Sequence, residues 1–341
     1  MIRQHVQNPC KREQISVCSF SVRPSERGCV HVSIIALDHV TKRFGETIAL
    51  NDFSLHVEAG ELFGLLGPNG AGKTTAISVM LNLYPADSGT IRIFDRVMPK
   101  DEQAIKQRVG IVPQHVSVYD QLTVFENIQF FAELYGFKPA EAKQKTEAAL
   151  DFVELTAHQK KRPPELSGGL LRRLNIACGI VHEPELIFMD EPTVAIDPQS
   201  RNTILENIRE LNRRGATIIY TSHYMEEVEM LCDRVAIVDE GKIIAEGTQD
   251  ELKDQVMTLE TARIKVDSLT PGLIERLGAL SQVKKVEYHE PYIEVSLEKD
   301  TPLAPLLDVL HDAKVRFTSI TVDRPSLNTV FLALTGKTLR E

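Results

Sequence analysis

The chain has 341 residues, 43% hydrophobic and 26% charged, which suits two domains and a sizeable core. Its net charge of -9 argues against a nucleic-acid binder, which needs a concentrated basic face, and no apolar run reaches the roughly 18 residues of a membrane-spanning helix. The five cysteines, Cys10, Cys18, Cys29, Cys178 and Cys232, have no CxxC spacing; the last two lie in apolar stretches and read as core residues rather than disulfide or metal ligands.

Residues 1–33 are polar, weakly basic and without periodicity. They lack the apolar core of a secretory signal and read as a disordered extension. The alternative is a segment that is not natively translated. Glu26-Arg27-Gly28 can be encoded by a purine-rich run resembling a ribosome-binding site, with a start at Val30 or Val32 behind it. From residue 34 to about 257 the pattern is regular. "SIIALDHVTKRFG" and "ALNDFSLHVEAGE" alternate like strands. "ELFGLLGPNGAGKTT" reads as a short buried strand, a glycine loop and a helix start, and "SGTIRIFDR" as a strand. Amphipathic helices follow in "LTVFENIQFFAELYG" and "AEAKQKTEAALDFVEL", a helical insertion over about 115–165. "ELIFMDEP", "GATIIYTSH" and "DRVAIVDEGKIIAEG" are strand-like, the last a hairpin turning at Glu240-Gly241. Strands alternating with helices indicate an α/β core. Over 258–341 the order becomes strand, helix, strand, strand, helix, strand, a ferredoxin-like α+β pattern, closed by the helix "PSLNTVFLALTG".

"GPNGAGKTT" comprises Gly67, Pro68, Asn69, Gly70, Ala71, Gly72, Lys73, Thr74 and Thr75. It fits the phosphate-loop pattern and has the required strand before it and helix after it. Glycines let backbone N–H groups wrap a β-phosphate. Lys73 reaches the β- and γ-phosphates, Thr74 offers a hydroxyl to Mg2+, and Thr75 supports the phosphate site. "LIFMDEP" ends in Asp190-Glu191. A carboxylate at a strand tip beside a phosphate loop can hold Mg2+ through water, and the next one is placed to polarise an attacking water.

"ELSGGLLRRLNIA" adds Ser167, Gly168 and Gly169 before an apolar helix, about twenty residues ahead of the Asp190-Glu191 strand. That turn resembles the signature of ATP-binding cassettes, and residues from about 37 to 247 resemble the ATPase subunit of ABC transporters. The resemblance implies a phosphate-loop cassette with a β-subdomain and an inserted helical subdomain. It implies ATP and Mg2+ as ligands. Phe44 matches the aromatic that stacks on adenine, and Gln114 the glutamine that contacts Mg2+ and the nucleophilic water. Asp190 would hold the ion through water, Glu191 would act as base, and His223 would contact the γ-phosphate. Asp197 matches a loop that passes between subunits. Ser167, Gly168 and Gly169 would complete the ATP site of a second chain, either a second copy or a related subunit. Two positions depart from the family pattern. Leu170 stands where Gln is frequent, and Ala195 where Gly is frequent.

The ending "DRPSLNTVFLALTGKTLRE" resembles bacterial drug- and antibiotic-exporter ATPases of the daunorubicin-resistance type. These pair with a separate polytopic permease at the cytoplasmic face of the plasma membrane. Importers usually carry a different, β-rich tail. A soluble cassette protein acting on ribosomes or DNA usually has two cassettes or a long coiled-coil insertion, and neither is present here.

Overall fold

The computed structural model describes residues 33–256, 259–298, 301–323 and 326–336. The N-terminal extension, with Cys10, Cys18 and Cys29, therefore lies outside the described residues. In chain order the first elements are β1 (Ser33–Phe44), β2 (Thr47–Glu58), β3 (Leu62–Leu66), α1 (Lys73–Met80), β4 (Ser88–Ile93), β5 (Arg96–Val97), α2 (Glu102–Lys106) and β6 (Val109–Val112). Then come α3 (Val124–Leu134), α4 (Pro139–Phe152), α5 (Gly168–Ile180), β7 (Leu186–Asp190), α6 (Pro198–Arg213), β8 (Thr217–Ser222) and α7 (Met225–Leu231). β9 (Arg234–Asp239), β10 (Lys242–Thr248) and α8 (Gln249–Val256) follow. The last stretch holds β11 (Leu259–Val266), α9 (Leu273–Gly278), β12 (Val283–His289), β13 (Tyr292–Glu298), α10 (Ala304–Asp312), β14 (Phe317–Asp323) and α11 (Leu327–Thr335).

The central sheet has the order β10-β9-β3-β8-β7-β6. β9, β3, β8, β7 and β6 run parallel, and β10 returns antiparallel as the hairpin partner of β9. Its inner strands are buried on both faces, which explains their continuous apolar runs. In β3, Leu62 and Leu66 enter one core and Phe63 and Leu65 the other. In β7, Ile187 and Met189 point one way and Leu186 and Phe188 the other. This period-two division lets one sheet separate two cores. On one side lies the antiparallel sheet β2-β1-β4-β5, whose inner residues Ile35, Leu37, Phe53 and Leu55 pack with α1. On the other side lie the helices. Val124 and Ile128 of α3, Ala149 and Leu150 of α4 and Leu174 and Ala177 of α5 share that core. The helical layer thus continues past 165 into α5.

α3 starts where sequence chemistry places it. Thr123 and Glu126 form a reciprocal capping box. Phe125 and Phe131 are partly buried against the core, whereas Phe130 is exposed and meets Tyr119 edge-on. Cys178 and Cys232 are free and buried. Ala195 adopts φ 58 and Glu191 φ 46, left-handed conformations that cost a non-glycine residue roughly 1–2 kcal/mol.

The third sheet, β12-β13-β11-β14, is antiparallel throughout. Ala262, Ile264, Ile293 and Val295 pack with Leu273 and Leu277 of α9 and Leu306 and Leu310 of α10 in a core of their own. α11 does not join it. Leu327, Val330 and Phe331 enter the helical-side core of the central sheet, and the Leu327 N–H donates to Glu229 of α7 at 2.7 Å. The chain therefore ends by returning to the element behind His223.

Candidate active site

The loop between β3 and α1 forms the floor of the site. A Cβ at Gly67 would lie 2.2 Å from the Val238 carbonyl oxygen, so only glycine lets the loop cross β9 this closely. Gly72 caps α1 without a side-chain acceptor, which leaves the first-turn N–H groups and the positive end of the helix dipole for an anion. Asn69 and Gly70 are exposed, Pro68 and Thr75 half-buried, and Ala71 buried. Lys73 is buried, and its Nζ donates to Gly67 O at 2.7 Å and Pro68 O at 3.1 Å. Burial lowers its pKa, opposed by the Glu191 and Asp190 charges.

Two strand ends bring the carboxylates to this loop. The Thr74 hydroxyl donates to Asp190 Oδ2 at 2.8 Å, and the Thr221 hydroxyl donates to Asp190 Oδ1 at 2.6 Å. The Glu191 N–H donates in turn to the Thr221 hydroxyl at 2.9 Å. Thr221, on β8, thus fixes both residues at the tip of β7. Glu191 is only 6% exposed and three groups meet its carboxylate. Gln114 Nε2 donates at 3.1 Å. Lys73 Nζ lies 3.7 Å away. His223 Nδ1 lies 3.3 Å away, inside ion-pair range but outside hydrogen-bond geometry. Buried charges persist when paired and hydrogen-bonded, and this cluster supplies both.

Gln114 is held from the signature helix. Arg172 of α5 donates to Pro113 O at 2.9 Å and to Gln114 O at 2.7 Å. Neither Arg172 nor Thr221 belongs to a motif in the sequence. For Arg172 the available signal is its place one turn before Ile176, on the buried side of α5.

The signature turn lies apart from this cluster. Among the described residues no hydrogen bond or ion pair joins Ser167 or Gly168 to it. Ser167 is the N-cap of α5, accepting from Leu170 N at 3.4 Å. The two glycines differ. A Cβ at Gly168 would meet nothing within 4 Å, whereas one at Gly169 would lie 2.1 Å from Ser200 Oγ and 2.4 Å from Ser200 Cβ. Gly169 therefore answers to α6 of its own chain. Asp197 is the N-cap of α6, and its carboxylate accepts from Ser200 N at 2.9 Å. Those hydrogen bonds to the Ser200 N–H and hydroxyl lower its pKa. Phe44 is 43% exposed, so it is not a core residue. Its ring meets Tyr84 edge-on with centroids 5.2 Å apart.

A buried lysine in a glycine loop, a hydroxyl–carboxylate pair and a second, buried carboxylate thus meet at one place, and sequence relationships specify the family. Residues 50–194 match the family described as ABC transporter. The linearmycin resistance ATP-binding protein of Bacillus subtilis is 40% identical over 90% of this chain and 100% of its own length. The chain belongs to the ABC transporter family. The Nod factor export ATP-binding protein I of Cupriavidus pinatubonensis is 36% identical to this ABC subunit over 91% of the chain and 93% of its own length. Among solved structures, an ATP-binding subunit of an ABC transporter is 27% identical with a TM-score of 0.60, covering 65% of this chain and 93% of that one. The structure of cbiO1 from Clostridium perfringens, part of the ABC transporter complex cbiONQ, is 25% identical with a TM-score of 0.59, covering 66% and 94%. This ABC subunit binds and hydrolyses ATP, and Lys73, Gln114, Asp190 and Glu191 fall within the matched residues.

Proposed function

We propose that this ABC ATPase powers export of a hydrophobic compound, such as a drug, antibiotic or lipid, through a separate polytopic permease. The partners meet at the cytoplasmic face of a bacterial plasma membrane. One observation carries this reading. The relatives named for linearmycin resistance and Nod factor export align over 90% and 91% of the chain, so the likeness extends beyond the cassette into the C-terminal region. The cassette structures cover only 65% and 66%. No helix among the described residues is long and apolar enough to cross a membrane, which agrees with a permease on another chain. We assign the cassette to 34–257 and a ferredoxin-like accessory domain to 258–341. The order β12-β13-β11-β14 and the separate core beneath it support that division as far as β14, whereas α11 packs into the helical-side core of the central sheet.

Within the cassette, Phe44 takes the adenine, and the loop Gly67–Thr75 the β-phosphate. The Thr74 hydroxyl, the Asp190 carboxylate and the Gln114 amide are hard oxygen donors suited to Mg2+. Bound there, the ion would supply charge neutralisation for the transferring phosphoryl group. Glu191 accepts the proton of the attacking water, while Gln114 and His223 orient its carboxylate. Lys73 leaves its loop carbonyls for the β- and γ-phosphates. Ser167, Gly168 and Gly169 complete the site of a second subunit, and Asp197 passes the state of one site to the other. The experiment is co-expression with a candidate polytopic permease, followed by purification and an efflux assay. Export by the wild type, lost in Glu191→Gln while the complex still assembles, supports the reading. Assembly with ribosomes or DNA and no permease would overturn it.

A further inference from the structure

The loop after β7 meets a further buried carboxylate besides Asp190 and Glu191. Glu227, on α7, is 1% exposed. Its Oε2 accepts from the Tyr220 hydroxyl at 2.5 Å, the Thr193 hydroxyl at 2.8 Å and the Ser222 hydroxyl at 3.0 Å. Its Oε1 lies 2.6 Å from Arg201 Nε, an ion pair off the N–H axis. A buried carboxylate persists where donors and a cation surround it, and here they come from separate segments. Thr193 sits between Glu191 and Asp197. Arg201 lies in the first turns of α6, which Asp197 caps. Ser222 directly precedes His223, and its hydroxyl also accepts from Tyr224 N at 2.9 Å. A second route reaches the same place. The Arg201 guanidinium lies 4.7 Å from the Tyr224 ring centroid, and that ring lies 4.2 Å from the His223 ring.

We propose that Glu227 is a positioning residue for ATP hydrolysis. Its carboxylate holds the loop carrying Glu191, Ala195 and Asp197 in register with the segment carrying His223. The contact it preserves is the 3.3 Å approach of His223 to Glu191. The two sides of that approach come from different strand ends, and the first of them carries left-handed residues at Glu191 and Ala195. A strained loop keeps its shape only when its surroundings over-determine it. Glu227 supplies that determination through Thr193 and Arg201 on one side and Ser222 on the other. A misplacement of about 1 Å at such a distance is worth on the order of 100-fold in rate.

The test uses two isosteric variants of the full chain, Glu227→Gln and Thr193→Val. The first removes the charge, and the second removes one donor while leaving the carboxylate in place. Steady-state ATP turnover is measured beside fluorescent-nucleotide binding and thermal melting. We expect kcat to fall about 10- to 100-fold in Glu227→Gln and about 3- to 10-fold in Thr193→Val, with KM and nucleotide affinity within twofold of wild type. The double variant should be no worse than Glu227→Gln by more than twofold, because both act through one network. A kcat within twofold of wild type in a folded Glu227→Gln overturns the proposal. So does a loss of nucleotide affinity in parallel with kcat, the mark of a general fold staple, or losses that multiply in the double variant. If Glu227→Gln does not fold, Thr193→Val decides alone, and unchanged turnover there overturns it.

Discussion

At the start of α1 the phosphate loop is surrounded by partners from its own chain. Lys73 bonds to Gly67 and Pro68, Thr74 to Asp190, and Glu191 gathers Lys73, Gln114 and His223. At the start of α5 the signature turn has almost none. Ser167 is occupied only by capping, and nothing lies within 4 Å of a Cβ placed on Gly168. Both are glycine-bearing turns that open a helix, and both expose helix N–H groups suited to an anion. The first is a nearly closed device. The second is, under the proposed function, a surface for another subunit. The contrast between Gly168 and Gly169 sharpens this. Gly169 is required by Ser200 in the same molecule, whereas Gly168 is sterically open.

The largest test of that comparison is Ser167→Arg. We expect at least a 100-fold loss of turnover with nucleotide affinity of the isolated chain within twofold, measured by steady-state hydrolysis and fluorescent-nucleotide titration. Loss of binding would place the turn in its own chain's site instead. Lys73→Ala should do the opposite, removing nucleotide binding together with turnover.

The glycine pair gives a second test. Gly169→Ala drives a methyl into Ser200 and should destabilise the chain by about 1–3 kcal/mol in urea melts. Gly168→Ala should leave stability unchanged or slightly higher, since alanine favours a helix by up to about 1 kcal/mol, while turnover falls. Equal destabilisation by both would break the distinction.

The far end of the signature helix offers a test remote from both sites. His182 stacks on Tyr135 with ring centroids 3.5 Å apart, and its Nε2–H donates to Val109 O at 3.0 Å. Burial lowers its pKa from 6.5 to about 4. The unfolded chain therefore binds the proton more readily than the folded one. Stability should fall as pH drops below 6.5, and the loss is complete near 4. The share due to His182 is on the order of 2 kcal/mol at pH 5. In His182→Gln the difference in unfolding free energy between pH 7.5 and pH 5 should shrink by that amount; an unchanged difference would show that the ring titrates freely.

The smallest expected effect is at Ala195. Glycine relieves its left-handed backbone but adds freedom to the unfolded chain, so stability should change by less than about 1 kcal/mol. Turnover should rise about two- to fivefold as the Asp197 loop moves more freely. Equal or lower turnover would mean that the strain at Ala195 holds the loop in its working shape.

The sequence by itself determined the local devices. The phosphate loop, the apolar strand ending in Asp190-Glu191, the hairpin at Glu240-Gly241 and the repeated strand–helix order after 258 all depend on neighbours in the chain. Periodicity and glycine spacing record such neighbours directly. α6 was not among the elements legible in the sequence, because only Ile204, Leu205 and Ile208 of its sixteen residues are buried. Tertiary structure alone decided which side chains meet. Gln114 reaches Glu191 across 77 residues of chain, and Thr74 reaches Asp190 across 116. Arg172, Thr221 and Glu227 left no motif, since a buried polar residue is recognised by its partners, and those partners come from other strands. The same holds for the two glycines of the signature turn. They are identical letters in sequence, and only the packing of α6 against α5 closes one of them in and leaves the other open.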